Sequence, residues 1–113
     1  MIMNIDSWKS QLRKGAAELA VLALLDQTPS SGIALVKRVE PHPHIGLSGG
    51  ALYPLLNRLE REGKIAGRWS SETVGRPEKS YEVTEDGKAW LAAMREARTL
   101  FDQDMNAILE AQA

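Results

Sequence analysis

The 113-residue sequence contains no cysteine. That excludes a disulfide framework and a cysteine-based zinc site, and it fits a reducing compartment, so a cytoplasmic protein is expected. Long apolar runs are missing too. The longest, Leu19 to Leu25, is far short of the roughly 20 residues a membrane span needs. Asp6 lies in an N-terminus with no apolar core of signal-peptide length. No Gly-rich loop follows a strand pattern, and no Ser/His/Asp set, Cys/His set or suitably spaced acid pair is visible. No enzyme and no cofactor are expected. His42 and His44 stand two apart in a Pro-rich loop with few carboxylates nearby, which argues against a metal site.

A large charge of one sign is also absent, the net being −1. Its distribution is uneven. Residues 1–79 carry 11 basic and 8 acidic side chains (+3), and residues 80–113 carry 3 and 7 (−4). A local basic patch binds phosphate even on a neutral molecule. The length allows one domain, or a small domain with an appendage.

What is present is helical periodicity. Ile2, Ile5, Trp8 and Leu12 form one stripe of a short N-terminal helix, and a first main helix is expected from about Leu12 to Asp26. Thr28-Pro29-Ser30-Ser31-Gly32 breaks it and offers Ser30 or Ser31 as an N-cap. A second helix covers roughly Ser31 to Glu40, with Leu35, Val36 and Val39 inward. Pro41 and Pro43 make the next segment a loop.

The third helix carries most information. Leu52, Leu55, Leu56 and Leu59 recur at i, i+3, i+4 and i+7, opposite Gly50, Pro54, Asn57 and Arg61, with Tyr53 and Arg58 on the flanks. Ser48 is placed to cap it, although a start at Pro54 would be sterically cleaner. Gly63 ends it. Asn and Arg suit bidentate base contacts in a major groove, and Tyr53, Arg58 and Arg61 suit phosphate. The plainer alternative is a solvated helix face. Ile65, Gly67 and Trp69 alternate as a strand, a turn spans about Ser70 to Glu78, and Ser80 to Val83 return. Arg76 and Lys79 would then sit at a wing tip near phosphate, an ordinary charged loop being the alternative.

Thr84-Glu85-Asp86 starts a last helix reaching about Ala111, close to 40 Å long. Trp90, Met94, Ala97, Phe101, Met105 and Ile108 form a heptad-like seam on it. A body of some eighty residues cannot cover such a helix, so a homodimer is expected. Trp8, Trp90, Met94 and Phe101 suit a pocket for a flat apolar effector, although an aromatic stripe is more often packing.

Taken together, these pieces resemble the PadR-like family of bacterial transcriptional regulators over nearly the whole chain. The resemblance rests on Leu12-Arg13-Lys14-Gly15-Ala16, on Ser48-Gly49-Gly50-Ala51-Leu52-Tyr53-Pro54-Leu55-Leu56 with Arg58-Leu59-Glu60, and on Gly63. Arg68-Trp69, Gly75-Arg76-Pro77 with Lys79 and Tyr81, and Thr84-Glu85-Asp86-Gly87 complete it. The length matches the short branch with a single C-terminal dimerisation helix. The resemblance implies a homodimeric winged helix-turn-helix repressor on a partly palindromic operator, with the third helix starting near Ser48. It implies DNA contacts from Ser48, Gly50, Tyr53 and Pro54 and wing contacts from Arg76 and Lys79. Phenolic or other flat apolar compounds are the effectors it suggests. Ala51 stands where the family often has Thr, and Ile33 where it often has an aromatic residue, each a departure that removes a DNA contact.

The expected fold is mostly α with a small β-hairpin: an N-terminal helix on the dimer interface (1–11), a winged helix-turn-helix (12–84) and a dimerisation helix (85–113). The expected function is operator binding, by Asn57, Arg58 and Arg61 with the residues above, relieved by a small molecule. The alternative is a winged-helix protein-interaction module that does not touch DNA.

Overall fold

A computed structural model describes residues 3–70 and 75–111. The first helix, α1 (Asp6–Gln27), is continuous. From Asp6 onward the short helix and the separate main helix expected from the sequence are one element; Ile5 stands at its N-cap, and Ile2 lies outside the described residues. No proline intervenes, and the exposed Gly15 is tolerated inside a helix for roughly 1 kcal/mol. Ser31 caps α2 (Gly32–Val39), its Oγ accepting from the Ala34 N–H at 3.1 Å. Ser30 and Ser31 also form a short strand, β1 (Ser30–Ser31). Two serines beside a proline carry no strand pattern, so the sequence does not announce it.

The third helix, α3 (Gly49–Arg61), starts after Ser48 and contains Pro54. Ser48 takes the cap position, but its side chain makes no cap bond. Its carbonyl accepts from Ala51 and Leu52 instead. The bond that Pro54 cannot donate falls at Gly50, an exposed residue, so the unpaired carbonyl lies on the solvent side of the helix. Gly63, at φ 78°, closes the helix in a left-handed turn. There the Gly63 N–H donates to the Glu60 carbonyl and the Lys64 N–H to that of Leu59.

Strands β2 (Ile65–Ser70) and β3 (Glu78–Val83) pair antiparallel, and β3 also pairs with β1, in the order β1-β3-β2. The return strand thus begins two residues earlier than expected, at Glu78, and residues 71–74 of the expected turn lie outside the described part. Thr84 caps α4 (Glu85–Glu110), accepting from the Gly87 N–H and donating to the Gly63 carbonyl at 2.6 Å. Gly87 lies so close to the Lys64 carbonyl that a Cβ would overlap it. The start of α4 is therefore keyed to the end of α3.

The core joins Val21, Leu22 and Leu25 of α1 to Leu35 and Val39 of α2 and Leu52, Leu56 and Leu59 of α3. Ile65, Tyr81 and Leu91 close it from the sheet and α4. Burying one such leucine contributes about 1.5–3 kcal/mol. Only Gly87 and Leu91 of α4 are buried. The rest of that helix runs out from a molecule measuring 58 × 36 × 22 Å. Among the described residues no helix is long and apolar enough to cross a membrane.

Candidate nucleic-acid interface

Packing of Leu52, Leu56 and Leu59 inward fixes which side of α3 faces solvent. Gly50, Pro54, Asn57 and Arg61 align there at i, i+4, i+7 and i+11, all exposed. Arg61 pairs with no acid among the described residues. Ser48 and Ala51 are exposed at the start of the same helix. Small residues lead this face and a free guanidinium ends it, a shape suited to close approach followed by a charged contact.

Both flanks of α3 are pinned. On one, Arg58 Nη2 donates to Glu18 Oε1 of α1 at 2.7 Å, and Nη1 donates to Glu62 at 3.2 Å. On the other, Glu60 Oε1 accepts from Lys79 Nζ of β3 at 2.8 Å while Oε2 accepts from the Gly67 N–H at 3.1 Å. A Cβ on Gly67 would run into Glu60 and Lys79. The wing is thereby fastened to the helix. Arg58 and Lys79 are thus engaged within the chain, unlike Arg61. Their geometry was beyond the sequence, because each acid comes from another element or lies on a flank.

Tyr53, 44% exposed, lies against α2. A Cβ on Gly32 would stand 2.5 Å from its Cε1. Arg38 ties the last turn of α2 to β1 and the end of α1, donating to the Ser30 hydroxyl at 2.9 Å and to Gln27 at 3.1 Å. Ile33, in the first turn of α2, is 61% exposed. Register places Trp69 opposite Lys79 on the α3-facing side of the hairpin, with the indole 67% exposed. Arg76 is exposed near the hairpin tip. The exposed indole of Trp69 and the clips made by Glu18 and Glu60 are the features that sequence reasoning missed. Alternation along β2 is the one signal that pointed to the first.

The electrostatics follow these contacts. Burial pushes the Glu18 carboxyl up, but hydrogen bonds from Arg58 and Trp90 and the charge of Lys64 bring it below the usual carboxylate value. The bond from Lys79 lowers Glu60. Glu62 is lowered by Lys64 and Arg58. Glu60 in turn raises Lys79, which keeps it charged.

Trp8, Trp90, Met94 and Phe101 are not gathered into one cavity of the chain. Met94 packs on its own core, Trp8 and Phe101 are exposed, and the Trp90 indole N–H donates to Glu18. The groove between α1 and α4 is lined by Ala16, Leu19, Ala20, Ala23 and Ile45, with Arg95 and Arg98 of α4. Along α4, Ala97, Met105 and Ile108 are exposed. His42 and His44 are exposed, and no cluster of potential metal ligands occurs among the described residues.

The family model described as "Transcriptional regulator PadR-like family" matches residues 21–93. A PadR family transcriptional regulator from Eggerthella lenta is similar at 31% identity and TM-score 0.85, covering 94% of this chain and 92% of that one. A PadR-like transcription factor from Bacteroides fragilis is 30% identical at TM-score 0.76, covering 91% and 99%. A PadR-like regulator from Bacillus cereus is 27% identical at TM-score 0.78, covering 88% and 96%. No curated protein sequence matches the chain.

Proposed function

Because the chain belongs to the PadR-like family of transcriptional regulators, we propose that two copies act together as an operator-binding repressor. It is a winged-helix DNA-binding regulator, like its relatives, and not an enzyme. The observation that carries the reading is the outer face of α3. Gly50, Pro54, Asn57 and Arg61 stand free in one line while Arg58 and Glu60 hold the helix on either side. An α-helix presented in this way fits a major groove, where Asn57 reads adenine edges and Arg61 reads guanine or phosphate. Tyr53, Ser48 and Arg76 meet the backbone around it.

The second copy docks through α4. Trp90, Ala97, Leu100, Phe101, Met105, Ile108 and Leu109 leave much of that helix apolar and in water. Exposed apolar area of this extent is characteristic of an interaction surface. Pairing two such helices sets two α3 helices roughly 34 Å apart, one DNA turn. A planar effector bound at this seam relieves repression by changing that spacing.

The test is a mobility-shift titration with DNA from upstream of the chain's own gene, at fixed salt. The parent protein shifts it, and Asn57→Ala with Arg61→Glu abolishes the shift without lowering the unfolding temperature. Unimpaired binding by that variant would refute the α3 assignment. A winged-helix module for protein contacts is the rival reading, favoured by the internal use of Arg58 and Lys79, and it requires that no fragment bind.

A further inference from the structure

The carboxylate of Glu18 is the meeting point of three helices. It lies on α1, accepts from Arg58 of α3 at 2.7 Å, and accepts from the indole N–H of Trp90 on α4. Lys64, just beyond α3, adds its ammonium at 3.7 Å from the other carboxylate oxygen. The same ammonium stands 4.2 Å from the centre of the Trp90 ring and 3.0 Å from Glu62, which also binds Arg58. The contacts close into a ring: Glu18, Arg58, Glu62, Lys64 and Trp90. The Glu18 side chain is only 16% exposed, so solvent screens it weakly.

From this arrangement we infer that Glu18 is a positioning residue which links the setting of the dimerisation helix at Trp90 to the setting of α3. The inference rests on the reading of α3 as the DNA-binding helix. One carboxylate with opposed partners on its two oxygens transmits displacement. If the indole turns away, Glu18 loses one fixed donor and its grip on Arg58 changes. Arg58 is one of the two flank residues that hold α3, and Glu60, on the wing side, has no part in the ring. Through the ring a shift of α4 therefore reaches α3 on the Arg58 flank, while Thr84 and Gly87 hold the start of α4 to the turn that ends α3. Lys64 supplies a second, longer route through Glu62, and it passes through more exposed groups: the Glu62 side chain is 37% exposed. Coupling by displacement requires such an element to have two arrangements that both sites bias.

The experiment is a coupling cycle in two arms. In the first, without DNA, Trp8→Phe and Trp69→Phe leave Trp90 as the only indole, and its emission is recorded with and without Arg58→Ala. Among the described residues no hydrogen bond or cation–ring contact joins Arg58 to Trp90, yet removal of Arg58 is expected to shift the emission. The shift disappears in a Glu18→Gln background and survives in a Glu62→Gln background. In the second arm, affinity for the upstream DNA fragment is measured for Trp90→Phe. Coupling energies in allosteric proteins correspond to about 5- to 150-fold effects. A change of about fivefold is expected in the parent and less than twofold in the Glu18→Gln background. Glu18→Gln preserves shape and one acceptor, and thermal unfolding verifies that each variant is folded. Equal emission shifts with Glu18 or Gln present, or fold-changes that simply multiply, overturn the inference. Emission coupling without any DNA binding leaves the link between α4 and α3 standing and sinks the DNA reading instead.

Discussion

The ring of Tyr53 occupies the space where a side chain on Gly32 would be. A Cβ there would meet Cε1 at 2.5 Å and both Cζ and Oη at 2.8 Å. The glycine at the start of α2 is thus the seat of an α3 residue, and it sets the angle at which that tyrosine leaves the helix.

Gly32→Ala is therefore expected to displace the ring. Because Tyr53 is near the surface and can swing outward, the stability loss should lie at the low end of the overpacking range, about 1 kcal/mol. DNA affinity falls with it. In a Tyr53→Ala background the same substitution is expected to be neutral or slightly stabilising, because Ala is the better helix residue. Urea unfolding of the four combinations checks this, and an equal loss in both backgrounds would contradict the packing argument.

Arg61 and Arg58 should separate cleanly. Arg61→Ala is expected to weaken DNA binding by about 1–3 kcal/mol and leave unfolding unchanged. If it meets phosphate, the salt dependence of log K becomes shallower by about 1. Arg58→Ala lowers stability as well, because Glu18 is left without its principal partner, although an arginine 40% exposed makes this a loss of no more than about 1 kcal/mol. Titrations at several salt concentrations, paired with thermal melts, distinguish the two.

Acid should loosen the clips that hold α3. The carboxyls of Glu18, Glu60 and Glu62 titrate below 4.5, the value they have when free. Near that pH the unfolded chain takes up protons that the folded chain still refuses. Their contribution is therefore whole above pH 4.5 and is lost as the pH falls through the lowered folded values. The unfolding temperature is expected to drop between neutral pH and pH 3.5 or so. Glu18→Gln with Glu60→Gln should flatten that drop while lowering stability at neutral pH. A double variant as acid-sensitive as the parent would leave the clips without a thermodynamic role.

Phe101→Glu with Ile108→Glu should convert a dimer to a monomer in sedimentation at micromolar concentration. Each side chain is about 60% exposed in the single chain, so folding of the body should not suffer. A buried aromatic anchor is worth about 2 kcal/mol or more at an interface, and operator affinity should fall accordingly. A parent chain that already sediments as a monomer would remove the basis for the proposed spacing.

Much of this was legible in the chain itself. The leucines of α3 and the capping Thr84 act within one or two turns, so periodicity and cap chemistry report them directly. Gly63 as a helix stop and the alternation in β2 are equally local. Net charge, by contrast, misleads, since cations and acids close in space cancel whatever their order in sequence. Which arginine stands free was invisible for that reason: Arg58 and Arg61 lie three apart on one helix, and only the fold brings Glu18 to the first. The same holds for Lys79, whose partner Glu60 lies 19 residues away.

Local order determined the helices, the hairpin and the orientation of the α3 face, because backbone hydrogen bonds and side-chain period act between near neighbours. Tertiary structure decided the remainder: that Ser30 and Ser31 join the sheet, and that Trp90 shares a carboxylate with Arg58. Those outcomes depend on which surfaces meet when the core closes. Pairing of charges across distant segments is set by that closure, and a linear pattern does not record it.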